Sequence, residues 1–347
     1  MKVYKNAFDR IASLENLFAA WNAFKGNKRN KDDVQRFEYH LEQNIFQLHR
    51  DLVSGTYRHG PYYGFYIHDP KQRHIHKASV RDRVLHHAIV SVINPMFEEA
   101  FIGTSFSCRV GFGTHKGVEV LENKAHAVAR NGTAPCFVLK CDIRKFFDSV
   151  DHDILLGILR KRIKDDAAIC LITEIVGSFS SSQSTLFDRK GLPIGNLTSQ
   201  LFANAYMNEF DQFIKHDLKV KQYARYTDDF AIIASDRAYL ENLIEPISRF
   251  LNDRLALELH PKKISIGKLH NGIDFLGYVV FPKHRLVRAK TRHRMFTKFA
   301  MKIEGYRAGT VTEGSLMASL HSYLGVMSHA DAFQLGEEIK NLVWFLS

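Results

Sequence analysis

Three aspartates offer the most recognisable chemistry in this sequence. Asp142 follows the short apolar run at 135–140, and Asp228 and Asp229 interrupt the apolar stretch at 220–235. Carboxylate oxygens suit Mg²⁺, and two such ions about 3.5–4 Å apart can activate an attacking 3′-hydroxyl and stabilise a leaving pyrophosphate. An isolated Asp-Asp pair is more simply interpreted as a turn, because Asp favours turns. The surrounding sequence must therefore decide between a metal site and a turn.

The apolar pattern predicts the elements that would position these carboxylates. A strand at 135–140 leads to Asp142, and the stretch at 220–235 has the pattern of a β-hairpin whose turn carries the Asp pair. Apolar residues recurring every three or four positions predict helices at 80–97, 117–130, 151–164, 166–179 and 197–218. Helices that alternate with strands indicate an α+β or α/β fold with a central sheet.

The N-terminal region is predicted to be mostly helical as far as residue 53. Apolar residues from Phe8 to Trp21 predict one amphipathic helix rather than a secretory signal. Those from Val34 to Leu52 predict a second helix, which Asp32 or Asp33 would cap. The period then changes, and the aromatic, Gly- and Pro-containing segment at 56–75 predicts short strands and turns.

Composition excludes several classes of protein. The 347 residues are 45% hydrophobic and 24% charged, which argues against a wholly disordered or fibrous chain. We find no apolar run near the roughly 18 to 20 residues of a membrane span, and we expect no membrane partner. The four cysteines form no C-x-x-C pair and show no zinc-finger spacing, so we expect a reducing, cytoplasmic location. The formal net charge of +11 favours a polyanionic partner, nucleic acid before membrane.

Four motifs follow one another along the chain. The block at 191–211, GLPIGNLTSQLFANAYMNEFD, joins a Gly-Pro turn to a helix with small and polar residues on one side. The other three are Asp142 with the Phe pair at 146–147, Tyr-Thr-Asp-Asp at 226–229 and Phe-Leu-Gly-Tyr at 275–278. In order, the set resembles the motifs of a reverse transcriptase: the first catalytic block, the second at 192–200, the Y-x-D-D box and the primer-grip block. The resemblance implies an α+β right-hand polymerase with fingers, palm and thumb. We assign 1–135 to an N-terminal extension and fingers, 136–282 to the palm with its central antiparallel sheet and inserted fingers helices, and 283–347 to the thumb.

The second block has Ile194-Gly195 and Ser199-Gln200 where most reverse transcriptases have Gln-Gly and Ser-Pro. This form resembles the reverse transcriptases of diversity-generating retroelements. This type implies a bacterial or phage-encoded enzyme that copies template RNA into cDNA with frequent errors at template adenines. It also implies an accessory protein, a small helical bundle that oligomerises.

Two alternatives stay open. The first is a related bacterial retroelement or phage-defence reverse transcriptase without the mutagenic role. The second is a catalytically inactive nucleic-acid-binding scaffold, against which the three aspartates argue, because clustered carboxylates are costly to keep without a metal.

The resemblance also implies residues that contact the incoming deoxynucleotide. Lys71, Arg73 and Arg81 would neutralise the triphosphate, although a solvated basic face explains each of them equally well. Phe147 matches the steric gate against the ribose 2′-hydroxyl, with Phe146 on the opposite side of an extended segment; a Phe-Phe pair by itself favours the core.

Two residues of the second block complete the predicted nucleotide site, together with Lys263 in the segment 257–265, LELHPKKIS, which resembles the lysine block that follows the Y-x-D-D hairpin. Ile194 and Gly195 would lie under the nascent base pair. Lys263 would protonate pyrophosphate, its alternative being a surface lysine. With the three aspartates, this set implies two Mg²⁺ ions, Mn²⁺ being the alternative ion.

The last predicted site binds the template RNA and the primer–cDNA duplex. Residues 283–307 contain nine Lys or Arg against one acid, Glu304, interleaved with aromatic residues. A thumb-like helix of this composition would hold a duplex through its phosphates, independently of sequence. The residues assigned to nucleic-acid binding are Gln200, Gly277, Arg292, Arg294 and Lys298.

Overall fold

The computed structural model describes residues 4–69, 71–181, 184 and 189–344. Its α-helices are α1 (Ala7–Ala12), α2 (Leu14–Lys25), α3 (Asp32–Tyr39), α4 (Leu41–Val53), α5 (Val80–Glu98), α6 (Thr114–Val128), α7 (Phe146–Ser149), α8 (His152–Arg162), α9 (Asp166–Gly177), α10 (Leu197–Gln212), α11 (Arg237–Leu255), α12 (Ala289–Arg307), α13 (Glu313–Met327) and α14 (Phe333–Trp344). Its strands are β1 (Tyr63–Ile67), β2 (Arg73–Lys77), β3 (Phe137–Asp142), β4 (Tyr223–Tyr226), β5 (Asp229–Ala234), β6 (Ser265–Lys268), β7 (Ile273–Phe275), β8 (Tyr278–Val280) and β9 (Arg285–Val287).

The chain forms two compact units. The first comprises 1–108, 142–219 and 245–260, and the second comprises 109–141, 220–244 and 261–347. The finer division into fingers, palm and thumb at 1–135, 136–282 and 283–347 stays a prediction.

The first unit is built around α5, which packs against α1, α2 and α10. Ser79 caps α5, because its hydroxyl accepts a hydrogen bond from the backbone N–H of Asp82. Leu85, Ile89 and Ile93 repeat at four-residue spacing on the buried side of the helix. The antiparallel hairpin of β1 and β2 belongs to the same unit.

The second unit contains a four-stranded sheet in the order β4-β5-β3-β6. The β4–β5 and β3–β6 pairs are antiparallel, and α6 packs against β4 and β5. A separate antiparallel sheet, β7-β8-β9, shares a hydrophobic core with α6, α12 and α13. The predicted α+β class with an antiparallel sheet is confirmed.

The predicted N-terminal helices are each broken once. The helix expected from Phe8 to Trp21 is interrupted at Ser13, whose hydroxyl accepts the N–H of Asn16 and so starts α2. The helix expected from Val34 to Leu52 is interrupted at His40, where φ is −113°. Hydrophobic period continues across a one-residue break, so the pattern by itself does not reveal it.

The segment after Asp142 is helical at 146–149, so the prediction that Phe146 and Phe147 lie on opposite sides of an extended segment is wrong. Lys145 has φ +45°, in the left-handed region, and this turns the chain into the short helix α7. The two rings still diverge, because consecutive residues of a helix point about 100° apart.

Among the described residues, no helix combines the length and the apolar content that a membrane span requires.

Candidate active site

The β4–β5 hairpin carries the predicted Asp pair on its turn. Tyr226 pairs with Asp229 across the hairpin, and Thr227 and Asp228 form the two-residue connection. Thr227 has φ +56°. This conformation is unfavourable for a β-branched residue, and backbone strain of this kind costs about 1–3 kcal/mol. The surrounding structure must therefore hold the turn in place.

Arg225 supplies part of that support. Its side chain is fully buried, and its guanidinium donates a hydrogen bond of 3.0 Å to the backbone carbonyl oxygen of Thr227. A buried charge is costly unless it is hydrogen-bonded, so this contact fixes the guanidinium and the strained turn together. Arg225 was not among the residues predicted from the sequence. The available signal was a charged residue inside one of the two apolar runs of the predicted hairpin.

The strand order of the sheet relates the end of β3 to the hairpin. β3 and β5 are neighbours, and β3 ends at Asp142 while β5 begins at Asp229. Pro135, just before β3, and Ser235, just after β5, line one pocket. The two strands therefore run antiparallel, since the start of one lies beside the end of the other. With this pairing, the last residues of β3 and the first residues of β5 lie at the same end of the sheet.

The carboxylates of this region have the right chemistry for a magnesium site. Asp228 and Asp229 are both half-buried, and carboxylate oxygen is the preferred ligand of Mg²⁺. Within the described residues, no group of three or more His, Cys, Asp or Glu side chains is arranged to hold a metal ion. Nucleotide-dependent Mg²⁺ sites commonly use one or two carboxylates and complete the shell with phosphate and water oxygens. The residues present thus fit Mg²⁺ as part of a substrate-completed site.

In the first unit, the β1–β2 hairpin docks on the second catalytic block. The backbone N–H of His76 donates to the carbonyl oxygen of Ile194 at 3.0 Å. Gly195 has φ +111°, and a Cβ at that position would lie 2.8 Å from Cγ2 of Ile75. Only glycine satisfies both the backbone conformation and this close approach. The structure therefore places Ile194 and Gly195 beside the strand that begins at Arg73.

Phe147 also lies against the second block. Its backbone carbonyl oxygen accepts a hydrogen bond of 2.7 Å from the N–H of Leu192. Phe146 is 2% exposed and belongs to the core, whereas the Phe147 side chain is half-buried. Their ring centroids are 5.3 Å apart in an edge-to-face arrangement. Of the pair, Phe147 is the one with an accessible ring.

Arg81 is held by several contacts, one of them to the buried carboxylate of Asp82. Its guanidinium pairs with Asp82 at 3.0 Å, donates to the carbonyl oxygen of Arg58 at 2.6 Å and lies over the Tyr57 ring. Burial alone would raise the pKa of Asp82, but the hydrogen bond from the Ser79 hydroxyl and the nearby positive charges lower it. Asp82 is therefore an ionised anchor for Arg81, which braces the base of the hairpin. Contact of Arg81 with a triphosphate stays a prediction.

The other predicted site residues lie mostly at the surface. Lys71 and Arg73 are exposed on the hairpin, and Gln200 is exposed on α10. Lys263 is exposed at the end of the single 3₁₀ turn Pro261–Lys263. Gly277 has φ +92° in the turn between β7 and β8. On α12, Arg292 and Lys298 are exposed and Arg294 is half-buried.

Comparison with known proteins assigns the chain to a family. The model of the reverse transcriptase (RNA-dependent DNA polymerase) family matches residues 68–280, which is more than half of the chain. The chain belongs to the reverse transcriptase family. All four motif blocks lie inside the matched region. The predicted enzyme class, an RNA-directed DNA polymerase, is confirmed, and template RNA and nucleotides are the substrates that this family implies.

Two relatives of this reverse transcriptase are bacterial proteins. It is 26% identical over 287 residues to protein YkfC of Escherichia coli K12, and the match covers 71% of this chain and 72% of that protein. It is 23% identical over 303 residues to the group II intron-encoded protein LtrA of Lactococcus lactis, and the match covers 68% of this chain. The chain spans 49% of the length of LtrA.

A solved structure also resembles the fold of this reverse transcriptase. Apo telomerase from Candida tropicalis, truncated from its C-terminal domain, matches 72% of this chain and 60% of that chain, with 11% identity and a TM-score of 0.48.

Proposed function

We propose that this reverse transcriptase extends a primer on a template RNA, with Asp142, Asp228 and Asp229 holding two Mg²⁺ ions, or Mn²⁺ in their place. The observation that supports this most is the β4–β5 turn, where a fully buried arginine braces a strained connection that carries two adjacent carboxylates. A two-residue hairpin turn normally has Gly, Asn or Asp where φ is positive, so a β-branched Thr at this position is strained. Backbone strain is characteristic of functional sites.

The remaining residues act on the substrates. Lys71 and Arg73 neutralise the triphosphate, Phe147 excludes a 2′-hydroxyl, and Lys263 donates a proton to pyrophosphate. Bound Mg²⁺ would activate the primer hydroxyl and stabilise the charge on the leaving group. The basic face of α12 holds the duplex through its phosphates.

We further propose the diversity-generating type, with an accessory helical-bundle oligomer as partner. Ile194 supports this finer assignment through its chemistry. A Gln at this position could form a hydrogen bond that depends on correct pair geometry, whereas Ile offers only apolar contact. One such bond is worth on the order of 1 kcal/mol, or roughly five- to tenfold in discrimination. Its absence lowers fidelity.

The second candidate is a retroelement reverse transcriptase without the mutagenic role. The similarity to an intron-encoded protein favours it. The two candidates differ in where errors fall: a mutagenic enzyme concentrates them opposite template adenine, and an ordinary one distributes them over the four bases.

Sequencing of cDNA made from one template with equal base content separates the candidates. The wild type should misincorporate mostly opposite adenine, and Ile194→Gln should lower those errors more than the others. Leu286→Gln makes the same kind of change at an exposed strand position and should leave the error spectrum unaltered. Errors spread evenly over the four template bases would support the second candidate. Equal adenine error frequencies in wild type and Ile194→Gln would show that Ile194 is only a packing residue.

A further inference from the structure

The edge of β2 that does not pair with β1 forms hydrogen bonds to the second catalytic block. One edge of β2 pairs with β1. At the other edge, the N–H of His76 donates to Ile194 and the carbonyl oxygen of His76 accepts a hydrogen bond of 3.0 Å from Nδ2 of Asn196. Both backbone polar groups of His76 therefore point away from β1 and are satisfied by residues about 120 positions later in the chain.

Asn196 does not have the role that its position suggests. It is the N-cap residue of α10, where Asn normally accepts a hydrogen bond from a backbone N–H of the first helical turn. No such bond is formed, and the side-chain amide reaches across to His76 instead. The side chain is 2% exposed, and its Oδ1 atom has no hydrogen-bond partner among the described residues. An unsatisfied buried oxygen is costly. The Asn196 side chain therefore gives up the N-cap bond that would stabilise α10 and forms the hydrogen bond to His76 instead, which we call the tie to β2.

We propose that Asn196 is a positioning residue that sets the distance between the two ends of the nucleotide site. This inference rests on the proposed function. The hairpin that Asn196 ties down carries Lys71 and Arg73, which are assigned to the triphosphate. The block that it belongs to carries Ile194, which is assigned to the base pair. A nucleotide that contacts both needs them at a fixed separation.

The packing beside Asn196 makes the separation sensitive to this hydrogen bond. Gly195 leaves no room for a side chain between the block and Ile75. The two segments are therefore in direct backbone contact, and the two hydrogen bonds of His76 set their register. Loss of the Asn196 amide removes one of the two bonds and leaves the hairpin free to move relative to Ile194.

The test compares two asparagines of α10. Asn196→Ala removes the tie to His76. Asn204→Ala is the matched control, because Asn204 is 3% exposed and its Nδ2 donates to the carbonyl oxygen of Ser107 at 2.8 Å. Asn196→Asp keeps the shape and the preferred N-cap chemistry but has no donor for His76, so it separates folding stability from the tie.

Two readouts are measured on each variant: hydrogen exchange of a peptide covering 73–77, and RNA-templated insertion of a single deoxynucleotide. Asn196→Ala and Asn196→Asp should speed exchange and raise the KM for the nucleotide about five- to tenfold, with kcat within about twofold of wild type. Asn204→Ala should change neither readout, although its melting temperature falls.

An unchanged KM in both Asn196 variants would overturn the positioning role, whether or not exchange is faster. Unchanged exchange would show that the tie does not hold the hairpin, and would overturn the role equally. A wild type that extends no primer would refute the proposed function, and the positioning role with it, while the exchange data would still report whether the two segments are tied.

Discussion

Gly195→Ala tests the contact between the β1–β2 hairpin and the second block most sharply. Alanine at this position would have to adopt φ +111°, which costs an L residue about 1–3 kcal/mol. Its Cβ would lie 2.8 Å from Ile75, where ordinary contacts begin near 3.4 Å. If the protein relieves this strain by moving the hairpin, nucleotide affinity falls by a similar free energy, roughly five- to 150-fold in KM.

The assay is single-nucleotide insertion on an RNA template, with KM and kcat determined separately. Ile75→Ala in the Gly195→Ala background removes the clashing methyl but not the backbone strain, so it should recover part of the affinity. Gly157→Ala in α8 is the control, because a Cβ there meets nothing within 4 Å. A Gly195→Ala enzyme with the wild-type KM would refute the idea that the hairpin and the second block both contact the same bound nucleotide.

Three further predictions address the proposed steric gate, the basic face of α12 and the pH dependence of stability. Phe147→Ala should admit ribonucleotides, and unchanged discrimination between the two sugars would place the gate elsewhere. Replacing Arg292, Arg294 and Lys298 together with Gln should flatten the salt dependence of duplex binding by roughly 0.9 log-log unit for each DNA phosphate that the protein no longer neutralises, and an unchanged slope would place these residues away from the duplex. Burial, reinforced by the charge of His59, lowers the pKa of His86 from 6.5 to about 3, so its stabilising contribution is complete above pH 6.5 and is lost as pH falls. Between pH 7.5 and 5.5 the free energy of unfolding should fall by about 1 kcal/mol more in wild type than in His86→Asn, and equal decreases in urea denaturation would contradict this assignment.

Local sequence signals predicted the elements around the aspartates well. Two apolar runs separated by a short polar connection predicted the β4–β5 hairpin, because turn-forming residues such as Asp between two apolar runs are the characteristic sequence signal of a tight hairpin turn. The helices at 80–97 and 166–179 correspond closely to α5 and α9. Each of these elements depends on residues that are near one another in the chain.

Contacts between distant segments could not be predicted in the same way. His76 and Ile194 meet although more than a hundred residues separate them, and no local pattern marks the free edge of a strand. The burial of Arg225 and the tie from Asn196 are tertiary features of the same kind. Asn196 also shows how a local signal misleads, since its type and position indicate a helix cap that the structure does not form.

RNA-templated primer extension by wild type and Asp228→Ala, with filter binding on the same preparations, tests the central claim most directly. The substitution removes a carboxylate from the proposed metal site and leaves in place the basic residues proposed to bind phosphate. We expect the wild type to extend the primer in Mg²⁺, and Asp228→Ala to bind template as well as wild type but to extend no primer. Extension by Asp228→Ala within a few-fold of the wild-type rate would contradict the assignment of this turn to catalysis.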